Sequence, residues 1–591
     1  MRYSERTVKV LQEKKQSFFK GALILSVAAV LVKAIGAIFK IPLMNIIGGD
    51  GMGYFSNAYD IYMPVYVISN AGLPVAIAKI VAESVSQGRY RDARKALKIA
   101  NEIFLITGTV GLLILLFGAK VFTEKWIQNP GAYLAVTAMA PTVFFVCLTS
   151  AYKGYYEGLQ NMYPTAIAQV VEVVVKLIFG LGLSMGVYKL GISQYTATSK
   201  VFGKAFNSFE DAEKLILQVA AAAAILGVAL GAFGSWLSIY LRHRWRGDNI
   251  TNAQLSMPQE DTSSKSIVRK IVKIALPVAL GSCVGQITGV IDLLSIMNRL
   301  HDAVNSGKDI ILSMYNGAVP YTKDAADIPN YLNGCYKGMA VNLYNLIPTF
   351  TVAFGVSALP AVTVAWSEKN HDSLKKNVEA VLRMTMLLVL PAGIGMSVLS
   401  RGILTLLYPL RAEEVSIAVP LLSILGIAVI FAASCSPINS MLQAVGRADL
   451  PVKIMIGCAS FKLAFNYITV AIPQINIRGA AVGTLICYVA IMTISLFFLL
   501  RITNLKLNYM TVFVKPLISA LLCGGGALIT SLILEKYVSI KLATIFGIAV
   551  GGVIYIASLV LLRAITEEDL KMLPKGDKLA AFYRKLPGIK K

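Results

Sequence analysis

The chain has 591 residues, of which 56% are hydrophobic and only 15% charged, and Lys plus Arg outnumber Asp plus Glu by 56 to 32. Soluble chains carry about 25% charged residues, so a soluble multi-domain protein is excluded. The formal charge of +24 sits in Lys and Arg clusters in alternate loops, as the positive-inside rule requires, so it does not call for nucleic acid as a partner.

The apolar residues come in blocks of about 20 or more, long enough to cross a bilayer core about 30 Å thick as helix. Lipid offers backbone groups no partners, and the blocks lack the alternation of barrel strands. The fold class expected is therefore all-α, a polytopic membrane protein. Residues 1–17 are mostly polar, and the apolar block that follows is too long for the core of a secretory signal and ends without a small-residue cleavage site, so it reads as a first transmembrane helix. Hydropathy predicts about fourteen spans: 18–48, 54–82, 97–119, 131–152, 162–188, 213–241, 268–297, 336–366, 380–400, 415–441, 451–473, 479–501, 514–534 and 540–563. An even number puts both termini on one side. That side holds Arg89, Arg91, Arg94 and Lys95, then Arg242, Arg244 and Arg246, then the basic tail 564–591, and is expected to be cytoplasmic.

An internal repeat runs through this order. Gly-Leu-Pro-Val-Ala at 72–76 and Ala-Leu-Pro-Ala-Val at 358–362 each precede a basic stretch. Pro74 and Pro360 are 286 residues apart, Pro164 and Pro451 are 287 apart, and Lys176 and Lys462 are again 286 apart. Six spans separate the copies, so they share one topology, the parallel type of repeat whose site lies at the interface of two lobes. The expected lobes are 18–241 (helices 1–6) and 268–501 (helices 7–12), joined by a polar cytoplasmic linker at 242–267, with helices 13 and 14 at 514–563 outside the repeat.

An ionisable residue at bilayer depth costs at least about 2.5–3.5 kcal/mol, so each one should face a partner or a wet cavity. Lys33 and Lys40 lie two helical turns apart on one face with Gly36 between them, which reads as an anion-binding wall; snorkelling is the plain alternative, stronger for Lys40. Glu172 and Lys176 stand at i,i+4 in the favoured order, either a self-neutralised pair or part of a site, with Gln169 extending their face. Lys462 has Cys458 where Lys176 has its acid, and Asn466 one turn on, which favours a substrate role. Asp60 is surrounded by Asn57, Tyr59, Tyr62 and Pro64, and Asp292 follows Gln286. Candidate substrate-binding residues are thus Lys33, Lys40, Lys176, Lys462, Asn57 and Gln286; candidate coupling-ion residues are Asp60, Glu172 and Asp292.

Enzyme signatures are missing from the sequence, and no cofactor is expected. His243, His301 and His371 read as scattered over polar loops without metal spacing, and no phosphate-cradling or nucleophile motif occurs. Asp324 and Asp327 read as solvated residues of the outer 300–335 loop. Six of the seven cysteines fall in apolar blocks and Cys335 near a loop, so no disulfide framework is expected.

The segments Gly-Asp-Gly-Met-Gly-Tyr-Phe (49–55), Ser-Asn-Ala-Gly-Leu-Pro-Val-Ala-Ile-Ala-Lys (69–79) and Gly-Tyr-Tyr-Glu-Gly-Leu-Gln-Asn-Met-Tyr-Pro-Thr-Ala-Ile-Ala-Gln-Val-Val-Glu (154–172) resemble a known family. It is the polysaccharide-transporter branch of the multidrug/oligosaccharidyl-lipid/polysaccharide exporters, and within it the MurJ-like and stage V sporulation protein B-like lipid II flippases. The resemblance covers nearly the whole chain. It implies two six-helix lobes around a cavity, two further C-terminal helices, and alternating access that carries an undecaprenyl-pyrophosphate-linked saccharide from the inner to the outer leaflet. Implied partners are lipid II or another lipid-linked oligosaccharide, the phospholipid bilayer of the bacterial plasma membrane, and the cell-envelope synthesis machinery. Relatives line the cavity with basic residues, and Lys33 stands at a position resembling one of them. Phe39 with Lys40 departs from an expected arginine neighbourhood, so teichoic and capsular sugars stay open beside lipid II. A multidrug or cation antiporter of the same superfamily, which would want an acidic cavity, and a non-transporting scaffold are the alternatives.

Overall fold

The structure is a computed structural model and describes residues 18–70, 72–259 and 262–565. It is helical almost throughout, and the described residues divide into two compact units. Of these, the first comprises those within 18–301 and 323–338, the second those within 302–322 and 339–565.

The first unit opens with α1 (Phe18–Asn70), a 53-residue run that would be roughly 80 Å long if straight, far beyond one crossing. It breaks at Gly48, whose φ of 61° and ψ of −169° only glycine adopts without strain. The break separates the two spans read from hydropathy. Then come α2 (Leu73–Ser86), α3 (Tyr90–Lys120) with a π-helical end at Val121–Trp126, α4 (Tyr133–Gly158), α5 (Tyr163–Thr198) and α6 (Phe209–Arg246). The short α7 (Asn252–Ser256), the first part of α8 (Ser264–Met314) and α9 (Ile328–Cys335) complete it.

Local chemistry sets several of these ends. Pro74 and Pro164 stand in the first turns of α2 and α5, where a missing N–H costs nothing. Ser208 caps α6 by accepting from the Glu210 N–H, with Glu210 and Asp211 in its first turn and His243, Arg244 and Arg246 in its last, each sign opposing the helix dipole. The α5–α6 contact is the most extensive in the unit and a close one: a Cβ at Gly227 would collide with the backbone of Gly180, the small-residue approach that membrane helices use.

In the second unit, α10 (Val341–Tyr344) and α11 (Leu346–Ser367) precede α12 (His371–Val398), α13 (Ser400–Leu407), α14 (Ala412–Ala444), α15 (Asp449–Thr469) and α16 (Ile477–Thr503). It ends with α17 (Lys515–Leu534) and α18 (Ile540–Leu561), which pack on each other through Gly547 and Gly551 against Ala527 and Cys523. The core of the unit is α14, packed by α11, α12 and α16.

Eleven helical runs among the described residues are long and apolar enough to cross a membrane, and Phe117, Ile178 and Leu561 exemplify the bulky apolar side chains they expose. The protein is a multi-pass membrane protein. One of the eleven is the Gly48-broken run, which holds two predicted spans. The predicted spans 268–297 and 451–473 fall on α8 and α15, which are not among the eleven.

The fold is all-α, with one small addition: Lys200–Val201 and Lys204–Ala205 pair as a two-stranded antiparallel ribbon, seated on Ile216 and Tyr195. Residues 268–301, expected to open the second lobe, pack within the first unit, where Lys270 pairs with Glu83 at 3.1 Å and the Ala275 carbonyl lies against Gly72. The repeat landmarks also differ locally. Gly72, at φ 78°, starts a new helix just before Pro74, whereas Ala358 continues α11 through Pro360.

Candidate functional site

The site begins where the second half of α1 meets α9. Gly49 and Gly53 leave room for Asn330, Tyr331 and the backbone of Gly334, so the two helices touch main chain to main chain. A polar ladder runs along this contact. Lys323 pairs with Asp50 at 2.6 Å, and Asn330 Nδ2 donates to the Asp50 carbonyl at 2.9 Å while Asn330 Oδ1 accepts from Asn129 at 2.7 Å. Farther along, Asn333 Nδ2 donates to Asn57 Oδ1 at 2.9 Å, and Lys337 pairs with Asp60 at 2.5 Å. Both amides are fully buried, with Asn57 Nδ2 and Asn333 Oδ1 left unsatisfied, which makes this rung costly unless a polar group joins it.

At the Asp60 end the ladder opens into a cluster of charges. Lys176 of α5 donates to the Tyr59 hydroxyl at 2.9 Å, and its ammonium stands over the rings of Phe39 (4.9 Å) and Tyr59 (5.3 Å), a cation–π cradle. Lys40 feels Lys176, Asp60 and Lys337, and Lys337 feels Asp292 as well as Asp60. Three lysines against two aspartates give the cluster a net charge of +1. An excess cation inside membrane helices is costly unless a counter-charge or water joins it.

The cluster therefore gathers Lys40, Lys176, Asn57, Asp60 and Asp292 from the sequence candidates. The expected Glu172–Lys176 pair is not made. Lys176 turns to Tyr59 instead, while Glu172 lies 4.0 Å from Lys153. Lys462 belongs to the second unit, half-buried on α15 and near Tyr488 of α16. The side chains of Lys33 and Gln286 lie outside the described residues.

The sequence reasoning missed Lys337, Asn330 and Asn333. Their spacing of i, i+3 and i+7 was the available signal, a polar stripe on one helix face. Asp327, expected as a solvated loop residue, pairs with Lys214 at 2.6 Å. Cys335 is fully buried at the end of α9, close to Gly49. The histidines are not loop residues: His243 ends α6 beside the Tyr156 hydroxyl (3.0 Å), His301 is buried in α8, and His371 begins α12.

This geometry can be set beside known proteins. A family model described as polysaccharide biosynthesis protein matches residues 18–366, more than half of the chain. The chain belongs to that family. The model of the lipid II flippase MurJ matches residues 340–575 of this polysaccharide biosynthesis family member. Among curated relatives, the lipid II flippase MurJ of Bacillus subtilis is 22% identical over 91% of this chain and 94% of its own. The stage V sporulation protein B of the same organism is 21% identical over 95% and 98%. Two solved structures share the fold. A lipid II flippase MurJ in an inward closed conformation has a TM-score of 0.60 at 14% identity, over 92% of this chain and 99% of that one. An inward-facing multidrug resistance MATE transporter of the MOP superfamily has a TM-score of 0.58 at 14% identity, over 81% and 98%.

Proposed function

We propose that this protein is a flippase that moves an undecaprenyl-pyrophosphate-linked saccharide, lipid II or a related cell-envelope precursor, from the inner to the outer leaflet of the bacterial plasma membrane by alternating access. It does so without bond-making chemistry, with both termini in the cytoplasm. The observation that carries this reading is the cluster of Lys40, Lys176 and Lys337 around Asp60 inside the spans of the first unit. A pyrophosphate replaces the water that buried lysines lack, and it competes with Asp60 for Lys337. A cationic drug would meet net positive charge, which disfavours the multidrug reading despite the shared fold. Asp60 and Asp292 are the acids placed to couple transport to an ion, since each is felt by Lys337. Glu172, held near Lys153, is the weaker coupling candidate.

The test is exposure of lipid-linked precursor on the outer leaflet, at matched protein levels. Lys40→Ala, Lys176→Ala and Lys337→Ala should each strongly reduce it. Lys33→Ala and Lys462→Ala, the two candidates from opposite halves of the sequence, should do the same. Lys369→Ala, between α11 and α12, is the control and should transport like wild type. Wild-type exposure by all five variants would mean that these lysines serve structure.

A further inference from the structure

The first unit contains a second polar cavity, of about 460 Å³. Its walls are Arg94, Lys98 and Asn101 of α3, Tyr152 of α4, His243 of α6, and Gly247 with Asp248 just beyond α6. Asp248 is the one carboxylate among these lining residues, and it is fully engaged. It accepts from Arg94 Nε at 2.8 Å and Nη2 at 2.9 Å, from the Tyr155 hydroxyl at 2.7 Å, and from the Ile250 N–H at 3.1 Å. Lys98 is exposed and makes no hydrogen bond or ion pair among the described residues. Two cations against one occupied acid leave the cavity positive.

Aromatic residues fix the depth of this cavity. Trp236 stacks on Tyr240 at 5.4 Å, Tyr240 meets Tyr152 edge-on at 6.3 Å, and Trp245 is 76% exposed one helical turn beyond. Trp and Tyr gather where hydrocarbon gives way to head groups. A basic pocket between transmembrane helices at that level suits the phosphate of an anionic lipid. We infer that this cavity binds a phosphate group, presented by an anionic phospholipid head group, with Lys98 as its free cation. A dissolved phosphate has the same chemistry, but the aromatic belt at the cavity wall favours the lipid.

The inference is independent of the transport reading, because its readout is lipid retention. Full-length protein would be reconstituted in vesicles of phosphatidylcholine and phosphatidylglycerol in equal parts, extracted gently, and its retained lipid identified by mass spectrometry. Wild type should keep phosphatidylglycerol in preference to phosphatidylcholine, and Lys98→Glu should retain about tenfold less. Lys120→Glu, the same charge change at the far end of α3, should retain as much as wild type. Equal retention by Lys98→Glu and wild type would overturn the site. Displacement of phosphatidylglycerol by millimolar inorganic phosphate would overturn the lipid source and assign the site to a dissolved anion.

Discussion

Lys337 Nζ lies 2.5 Å from Asp60 Oδ2, although 277 residues of sequence separate them. Both are mostly withdrawn from contact with the surroundings, with side chains 17% and 27% exposed. Removing one partner of such a pair leaves an uncompensated charge, at a cost of about 3–5 kcal/mol, whereas replacing both with uncharged residues is far milder. Lys337→Ala and Asp60→Asn should therefore each lower thermal stability in detergent, and the double variant Asp60→Asn/Lys337→Met should recover most of it. Precursor exposure should stay lost in the double variant, since the anion-binding cation is gone. Recovery of transport together with stability would assign the pair to structure alone.

A methyl group at Gly334 would collide with the Gly49 carbonyl and the Gly53 amide nitrogen. Gly334→Ala should destabilise the first unit by about 1–3 kcal/mol, visible as a lower unfolding midpoint. Gly182→Ala is the matched control on α5, where nothing stands within 4 Å of the added carbon. It should be neutral or stabilising by up to about 1 kcal/mol.

Burial alone would raise the Asp248 carboxyl, but hydrogen bonds from Arg94, Tyr155 and the Ile250 N–H outweigh it and hold the group below its ordinary value of 3.8. The folded form is thus favoured by an ionised Asp248. That contribution is complete above the ordinary value and is lost as pH falls through the lowered one. Hydrogen-exchange protection of the Ile250 amide, taken relative to its intrinsic exchange rate at each pH, should fall on acidification below about pH 4. Asp248→Asn should show the lower protection already at pH 6 and lose the pH dependence.

The orientation has a direct check in intact cells. A membrane-impermeant thiol reagent should reach a cysteine introduced at Asn305 and should not reach one at Ser263. Labelling at Ser263 from outside would reverse the proposed topology.

Much of the fold was legible because lipid makes a blunt demand: long apolar blocks must be helices, and Pro164 marks the start of one. What hydropathy could not show was which helix each block would touch. Lys337, at the edge of the 336–366 span, gave no signal of its own because its partner, Asp60, lies far away in sequence. The spacing of Glu172 and Lys176 suggested a pair, but one turn of helix permits a contact without requiring it, and the rings of Phe39 and Tyr59 offered Lys176 a better place. The ribbon at 200–205 escaped for a different reason. Two residues per strand around Phe202 and Gly203, both at positive φ, are too short to leave a period in the sequence.

The ladder between α1 and α9 also sets a schedule for biosynthesis. Asp50, Asn57 and Asp60 enter the membrane early, while Lys323, Asn330, Asn333 and Lys337 are still hundreds of residues from being made. At about 5–20 residues per second, Asp60 waits roughly 15–55 s for Lys337. Throughout that interval the nascent second span holds polar groups whose final partners do not yet exist, so insertion machinery or a borrowed water path must shelter them. Slow translation before residue 338 should therefore expose the young protein to degradation more than slow translation after it.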